Sequence, residues 1–301
     1  MGVFSGKYGA VGDVDTVRNW VLNELTTPAE MRASNTLGGT ARYEGVYDYN
    51  GTFEGYDGVP PYMPGDYFDF TGYTAPSTGA LGVAGTTKSA YNAIVQEVTI
   101  NWNWQSGELL NWALSFAAGE PLAITEAQAV VQDLVLPVPK IICGTKVTLT
   151  ESDTIWPNIV SASLTVRANN PTYVNSSSNG YTGRRRGIID WTAAIVEEAD
   201  QTDVSLGVAA CLGTQVGSDN ILRLWCDATT YWDLYWAHFV DVSDLRVDND
   251  TGAIVGQTNN FAMMGFNKEN GQNGRVGRPG EDGASNPFWW PTTFNALTNP
   301  F

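Results

Sequence analysis

Apolar and polar residues alternate along much of this chain with a period of two. Val98, Ile100, Trp102 and Trp104 alternate with Thr99, Asn101, Asn103 and Gln105. After Ser106-Gly107-Glu108, Leu110, Trp112, Leu114 and Phe116 alternate with Asn111, Ala113 and Ser115. Such alternation puts one apolar and one polar face on each arm, so residues 98–116 are expected to form a β-hairpin. The polar face carries amides and hydroxyls with almost no charge. It suits the wall of a wet channel as well as the solvent side of a sandwich, which makes Asn101, Asn103, Gln105 and Asn111 candidate lumen-lining residues. A second hairpin is expected from residues 221–226 and 234–240. It resembles the first because Leu110-Asn111-Trp112-Ala113 recurs as Leu234-Tyr235-Trp236-Ala237. Gly- and Asn-rich turns separate further short runs of Val, Ile, Thr and aromatics, so the chain reads as all-β with few short helices. Val14, Val17, Val21 and Leu25 fall at helical spacing, yet Val17, Asn19 and Val21 also suit a strand. Residues 124–132 and 200–213 could hold a helical turn or two.

A repeat changes this picture from one domain to two. Residues 34–49, SNTLGGTARYEGVYDY, align without gaps to residues 176–191, SSSNGYTGRRRGIIDW. Six positions are identical at an offset of 142: Ser34/Ser176, Gly38/Gly180, Thr40/Thr182, Arg42/Arg184, Gly45/Gly187 and Asp48/Asp190. Val46/Ile188 and Tyr49/Trp191 are chemically alike. The expected organisation is a first domain over 1–136, a second over 137–266, and a Gly-rich arm over 267–301. The stiff Leu136-Pro137-Val138-Pro139 segment marks the first boundary. The arm ends in aromatics, Trp289 and Trp290 among them, which suit docking on a neighbouring subunit or back on their own domain.

The length, 301 residues, fits two domains, and the 43% hydrophobic content supports packed cores. Thirty-two Asp and Glu face 16 Lys and Arg, a net charge of −16. That balance argues against a surface built to grip nucleic acid. Cys143, Cys211 and Cys226 show no paired spacing, so no disulfide framework or zinc site is expected. That cysteine usage fits assembly in the host cytoplasm; the opening residues lack the basic and apolar segments of a secretory signal, and no apolar run approaches the length of a membrane span.

No catalytic, cofactor or metal site assembles from the sequence. His238 stands alone in a strand among aromatics, without a second histidine or a nucleophile motif. Residues 6–12 lack the ending of a phosphate loop, and Asp248-Asn249-Asp250-Thr251-Gly252 lacks the spacing of a calcium loop. Glu197 and Glu198 would point to opposite faces of a strand, unlike a glycosidase pair. Eleven tryptophans could serve a carbohydrate-binding sandwich, but many lie on the apolar phase of strands, where core is the default.

Residues 6–20, GKYGAVGDVDTVRNW, residues 45–56, GVYDYNGTFEGY, residues 60–70, PPYMPGDYFDF, and the hairpin around Ser106-Gly107-Glu108 together resemble the bacteriophage tail-tube (major tail) protein family. Residues 161–191 carry the pattern a second time. The resemblance implies two tandem tail-tube-like β-sandwich or half-barrel domains. Three copies would form a ring with pseudo-sixfold symmetry, and rings would stack into a tube in the virion tail. The implied partners are further copies of the chain, other tail or baseplate proteins, and a sheath where the tail has one. Genomic DNA would pass through without specific binding. A distal-tail or baseplate adaptor of similar fold is the alternative. Where Tyr43-Glu44 stands in the first repeat, Arg185-Arg186 stands in the second. The reversal suggests pairing of Glu44 with Arg186 of a neighbouring subunit, and Arg42, Arg184 and Arg185 join them as interface candidates.

Overall fold

The computed structural model describes residues 17–33, 39–56, 60–73, 86–104, 106, 109–119, 124–128, 147–148, 158–176, 178, 180–199, 221–226, 231–235, 237–248, 253–263 and 276–277. Among these residues the fold is all-β, with sixteen strands and no helix. The first half holds β1 (Val17–Met31), β2 (Ala41–Tyr56), β3 (Tyr67–Tyr73), β4 (Thr86–Asn103), β5 (Asn111–Ala118) and β6 (Ile124–Gln128). The second holds β7 (Val147–Thr148), β8 (Ile159–Asn169), β9 (Thr172–Tyr173), β10 (Gly183–Arg184), β11 (Ile188–Ala199), β12 (Ile221–Trp225), β13 (Tyr231–Tyr235), β14 (Ala237–Asp248), β15 (Ala253–Met263) and β16 (Val276–Gly277).

The main sheet runs β1-β2-β5-β4-β8-β11-β15-β14, antiparallel throughout. Four strands come from each half, and β4 against β8 is the seam. Strand β4 is long and changes partners along its length. Its residues from Thr86 to Ile94 pair with β3 and β6, and its residues from Ala93 to Asn103 pair with β5 and β8. Asn92 sits at the change of partners with φ of 51°. Asn tolerates that left-handed conformation better than most residues.

The registers of the two half-sheets coincide. In β1–β2, Val17 opposes Gly55 and Asn19 opposes Glu54; in β8–β11, Ile159 opposes Glu197 and Ser161 opposes Val196. Both ladders skip one residue at the same place, and each member lies 142 positions from its counterpart. The ends of β1–β2 pair as Met31 with Ala41, and β9–β10 pair as Tyr173 with Gly183, at that same offset. The pair Asn50–Ala117 of β2–β5 returns as Thr192–Ala262 of β11–β15, displaced by 142 and 145. The bulge between Val95 and Glu97 in β4 returns between Phe239 and Asp241 in β14, displaced by 144. Outside the main sheet, Phe70–Ala90 of β3–β4 corresponds to Leu222–Leu234 of β12–β13.

Gly45 and Gly187 show why the repeated residues repeat. A Cβ on Gly45 would lie 1.6 Å from the Thr27 carbonyl oxygen, and one on Gly187 would lie 1.6 Å from the Asn169 carbonyl oxygen. Thr27 and Asn169 are themselves 142 apart. Only glycine admits so close a backbone approach. Asp48 and Asp190 each accept the amide of the following aromatic residue, Tyr49 or Trp191, at 2.8 Å.

The core lies against one face of the main sheet. Phe53 of β2 meets Phe68 and Phe70 of β3, Trp112 and Phe116 of β5 at ring separations of 5.5–6.1 Å. These edge and tilted contacts join two layers through aromatic packing. In the second half, Leu164, Trp191 and Ile195 of the main sheet share the core with Leu222, Leu224, Trp232 and Leu234. Trp102 crosses between layers, its indole N–H donating to the Trp225 carbonyl at 3.1 Å.

Several expectations change. The hairpin over residues 98–116 forms, as β4 and β5. The hairpin in the second half forms between β12 and β13, and residues 237–240 belong to β14 instead. It is not the counterpart of the first: Leu234 corresponds in register to Ala90 of β4, not to Leu110. The tetrapeptide likeness reflects the shared alternation of strands, whereas backbone pairing decides equivalence. Residues 17–31 are a strand, so the helical spacing of Val17, Val21 and Leu25 is coincidental. Val21 and Leu25 are exposed, while Trp20 and Leu22 pack on the core. Residues 124–128 form a strand rather than a helical turn. Within the expected C-terminal arm, Val276–Gly277 pairs with β13 of its own chain. The boundary near Leu136, the segment 200–213, Trp289 and Trp290 lie outside the described residues.

The halves differ in one buried patch. Glu197, Gln257 and Asn259 are buried, with Gln257 donating to Glu197. Their register counterparts are Gly55, Trp112 and Leu114, the latter two apolar and buried. Both polar atoms of the Asn259 amide lack a partner. An unsatisfied buried amide costs about 1–3 kcal/mol. Asn259→Leu, which restores the residue type of the first half, is therefore expected to raise stability by about 1 kcal/mol. Urea unfolding of wild type and variant checks this.

Candidate assembly site

The seam between the half-sheets is the most elaborated site in the described structure. Along it Val98 opposes Val166, Ile100 opposes Leu164, and Trp102 opposes Ala162, all buried on the core face. On the other face Glu97 meets Arg167 at 2.5 Å, and the Thr99 and Thr165 hydroxyls lie 3.3 Å apart. That arrangement is an ordinary ladder with matched side-chain pairs on both faces.

A segment preceding β11 reinforces the seam by reaching back over the first half. Tyr47 donates its amide to the Gly180 carbonyl at 2.7 Å and accepts the Thr182 amide at 2.8 Å, forming a parallel bridge. Gly180 has φ of +84°, a turn conformation suited to glycine. The Tyr47 and Tyr181 rings lie 5.4 Å apart. The Arg184 amide donates to the Gly119 carbonyl at 2.6 Å. Its guanidinium grips both carboxylate oxygens of Asp48, at 2.8 and 2.7 Å, and also reaches the Ala118 carbonyl at 3.2 Å. The Arg184 and Asp48 side chains are only 12% and 21% exposed. A two-pronged, largely desolvated pair of this kind fixes orientation as well as adding energy. Arg186 donates to the Gly65 carbonyl at 2.7 Å and to Asp66 at 3.2 Å. Asn170 donates to the Val95 carbonyl at 2.9 Å and accepts the Gly187 amide.

Burial shapes the phenols nearby. Burial first, and then the charges of Asp69 and Asp48, push the Tyr49 hydroxyl well above its ordinary range; it donates to the Tyr91 carbonyl at 2.5 Å. Tyr47 is also raised, first by burial and then by its hydrogen bond to Glu44. Both remain neutral donors at physiological pH.

The interface candidates thus separate. Arg184 and Arg186 join the two halves within one chain. Arg186 has its acceptors in Gly65 and Asp66, so the structure gives it a partner other than Glu44. Arg185 lies exposed over the Tyr173 ring, 5.1 Å from its centre. Arg42 and Glu44 are exposed on β2, and Arg42 pairs with Glu30 at 2.9 Å. Asn101, Asn103 and Asn111 are half-exposed on the polar face of the main sheet, where Asn101 donates to Asn111 at 3.1 Å. Gln105 lies outside the described residues. Asp48 and Asp66 were not marked as interface residues from sequence, although the Asp48/Asp190 identity carried the signal.

No group of three or more His, Cys, Asp or Glu among the described residues could hold a metal ion. Cys226 is a buried cysteine outside any disulfide, and His238 lies in β14 opposite Ala262. Trp102, Trp112, Trp191 and Trp232 are buried, as core residues rather than as a sugar-binding platform. No helix among the described residues is long and apolar enough to cross a membrane. The chain matches no protein-family model and no curated protein.

Removing one partner of the Arg184–Asp48 pair strands the other in a low-dielectric site. Asp48→Ala and Arg184→Ala are each expected to cost about 2–3 kcal/mol, with strong coupling in the double variant. Asp190→Ala loses the same local backbone bond without a guanidinium partner and should cost under about 1 kcal/mol. Urea denaturation of the four variants measures the difference.

Proposed function

We propose that this protein is a structural virion component, the subunit of a bacteriophage tail tube, built from two tandem tube domains over 1–136 and 137–266. The carrying observation is that two four-stranded sheets of equal register sit side by side in one chain, joined by β4 and β8. Among the described residues the joined sheet ends at β1 and β14, neither of which pairs with a further strand. These are the register counterparts of the two strands that meet at the seam: β1 corresponds to β8, and β14 to β4. A unit with one used seam and two matching open edges can repeat head to tail, and a repeat that closes makes a ring. With three chains the ring would contain six half-sheets and have pseudo-sixfold symmetry. Stacked rings would enclose a channel for DNA.

The exposed edges support the same reading. β1 runs for fifteen residues, and the side chains from Asn23 to Met31 are all exposed. A long open strand is a hazard for irregular pairing unless something covers it. The polar face of the sheet suits a channel wall: it presents Asn101, Asn103 and Asn111, and its Arg167 is tied to Glu97. With the overall acidity, such a wall offers phosphate few places to adhere. The function is passive passage, with no catalysis and no cofactor.

Negative-stain electron microscopy of the purified protein at rising concentration tests this. Tubes of stacked rings, each with sixfold-like density, are the expected result. Isolated closed rings that never stack would favour the distal-tail or baseplate adaptor, and monomers at every concentration would contradict ring assembly altogether.

A further inference from the structure

Of the identities shared by the two repeats, Gly45/Gly187 and Asp48/Asp190 meet the same local demand in both halves, but the arginine has a buried partner only in the second. Gly45 and Gly187 meet the same backbone obstruction, and Asp48 and Asp190 hold the same type of amide. Arg184 is buried in a two-pronged grip on Asp48, whereas its counterpart Arg42 stands exposed beside Glu30. The Asp190 side of the comparison is equally open. Asp48 is covered by the reach-back segment; Asp190 is exposed, and beside it Ile188 is 74% exposed, where the corresponding Val46 is half-buried. The first repeat thus holds an arginine with no buried acid, and the second an acid with no buried arginine.

We propose that a second copy of this chain supplies the missing contact: Arg42 of the partner subunit grips Asp190, reproducing the Arg184–Asp48 pair across the subunit boundary. This rests on the ring reading above and gives it a partner residue and a register. The geometry follows from the seam. Within one chain, β8 pairs with β4 so that Arg167 opposes Glu97 and Ser163 opposes Asn101. Moving β8 back by 142 residues gives β1, and moving β4 on by 144 gives β14, the offsets already seen in their ladders. Leu25 of the partner subunit then opposes Asp241, antiparallel, and the chain of backbone hydrogen bonds continues from one subunit to the next. In that arrangement the stretch of β1 and β2 that holds Arg42 lies over β11 as the segment preceding β11 lies over β2, covering Ile188.

The pairing also fixes polarity. Only the first half of one chain can follow the second half of another, because Arg42 and Asp190 lie on opposite ends of the unit. Glu44 occupies the position of Arg186 in this scheme, on the same side of the boundary as Arg42, so Glu44 and Arg186 do not face one another.

The test is a charge swap on the full-length chain. Arg42→Asp and Asp190→Arg are each expected to leave a folded protein, with circular dichroism like wild type and melting only slightly lowered by loss of the Arg42–Glu30 pair or the Asp190–Trp191 amide bond, since both residues are exposed in the single chain. Each is expected to raise the concentration needed for ring formation at least tenfold, read by light scattering after size exclusion, and the double swap to restore it. Single swaps that assemble like wild type, or a double swap that stays as poor as either single, would overturn the inference while leaving ring assembly standing. A wild type that never assembles would overturn both. For the register, Leu25→Cys combined with Asp241→Cys is expected to give a disulfide ladder under oxidation, absent from either single variant. A stronger ladder from Leu25→Cys with Arg246→Cys would place the strands differently and overturn the register.

Discussion

The structure depends on one constraint: a strand left at the edge of a sheet carries unpaired backbone groups along its whole length. At the seam between β4 and β8 this constraint is met inside the chain, because the edge of one four-stranded sheet becomes the partner of the next. Each backbone hydrogen bond adds only about 0.5–1.5 kcal/mol net, but the seam combines seven paired positions with a continuous buried face and a charged clamp. Everything else on that side of the molecule supports this contact. The segment before β11 bends back because Gly180 permits its turn, Gly187 permits its close approach to β8, and Arg184 finds Asp48 at the end of its reach.

Among the described residues the same constraint is unmet at β1 and β14. In the tandem-domain reading proposed above, a repeated unit that solves its edge problem once internally presents the same problem, in the same register, at its two ends. Homotypic closure is then economical, since it needs no new interface chemistry, only a second use of the old one. Differences between the halves fit this view. Among the described residues the first half buries Trp112 and Leu114 beside Gly55, whereas the second buries Gln257, Asn259 and Glu197 at the corresponding positions. The main-sheet pairing is kept across this change in core chemistry, so the ladder, not the core, is the preserved element.

Much of this was legible in the residues. Alternation placed β4 and β5, and the offset of 142 between Gly45 and Gly187 is also the offset between the β1–β2 and β8–β11 ladders, where both glycines answer the same steric demand. Asp48 and Asp190 were readable as one duty done twice. The equivalence of the hairpins was not legible: strands of similar alternation look alike, and only pairing separates Leu110 in β5 from Leu234 in β13. The offset also changes along the chain, from 142 in β1 and β2 to 152 in β3 and 144–145 in β4 and β5, so an ungapped comparison loses the match beyond the first two strands. The partner of Arg186 was hidden for another reason. Asp66 lies outside the repeated segment, and a long-range ion pair leaves no local pattern in sequence.

Amide hydrogen exchange, compared between the monomer and the assembled protein, tests the central claim most directly. If the open edges close on one another, amides along β1 and β14 exchange fast in the monomer and become protected on assembly to the level of β4 and β8, which stay protected in both states. Assembly with β1 and β14 still exchanging freely would contradict the account.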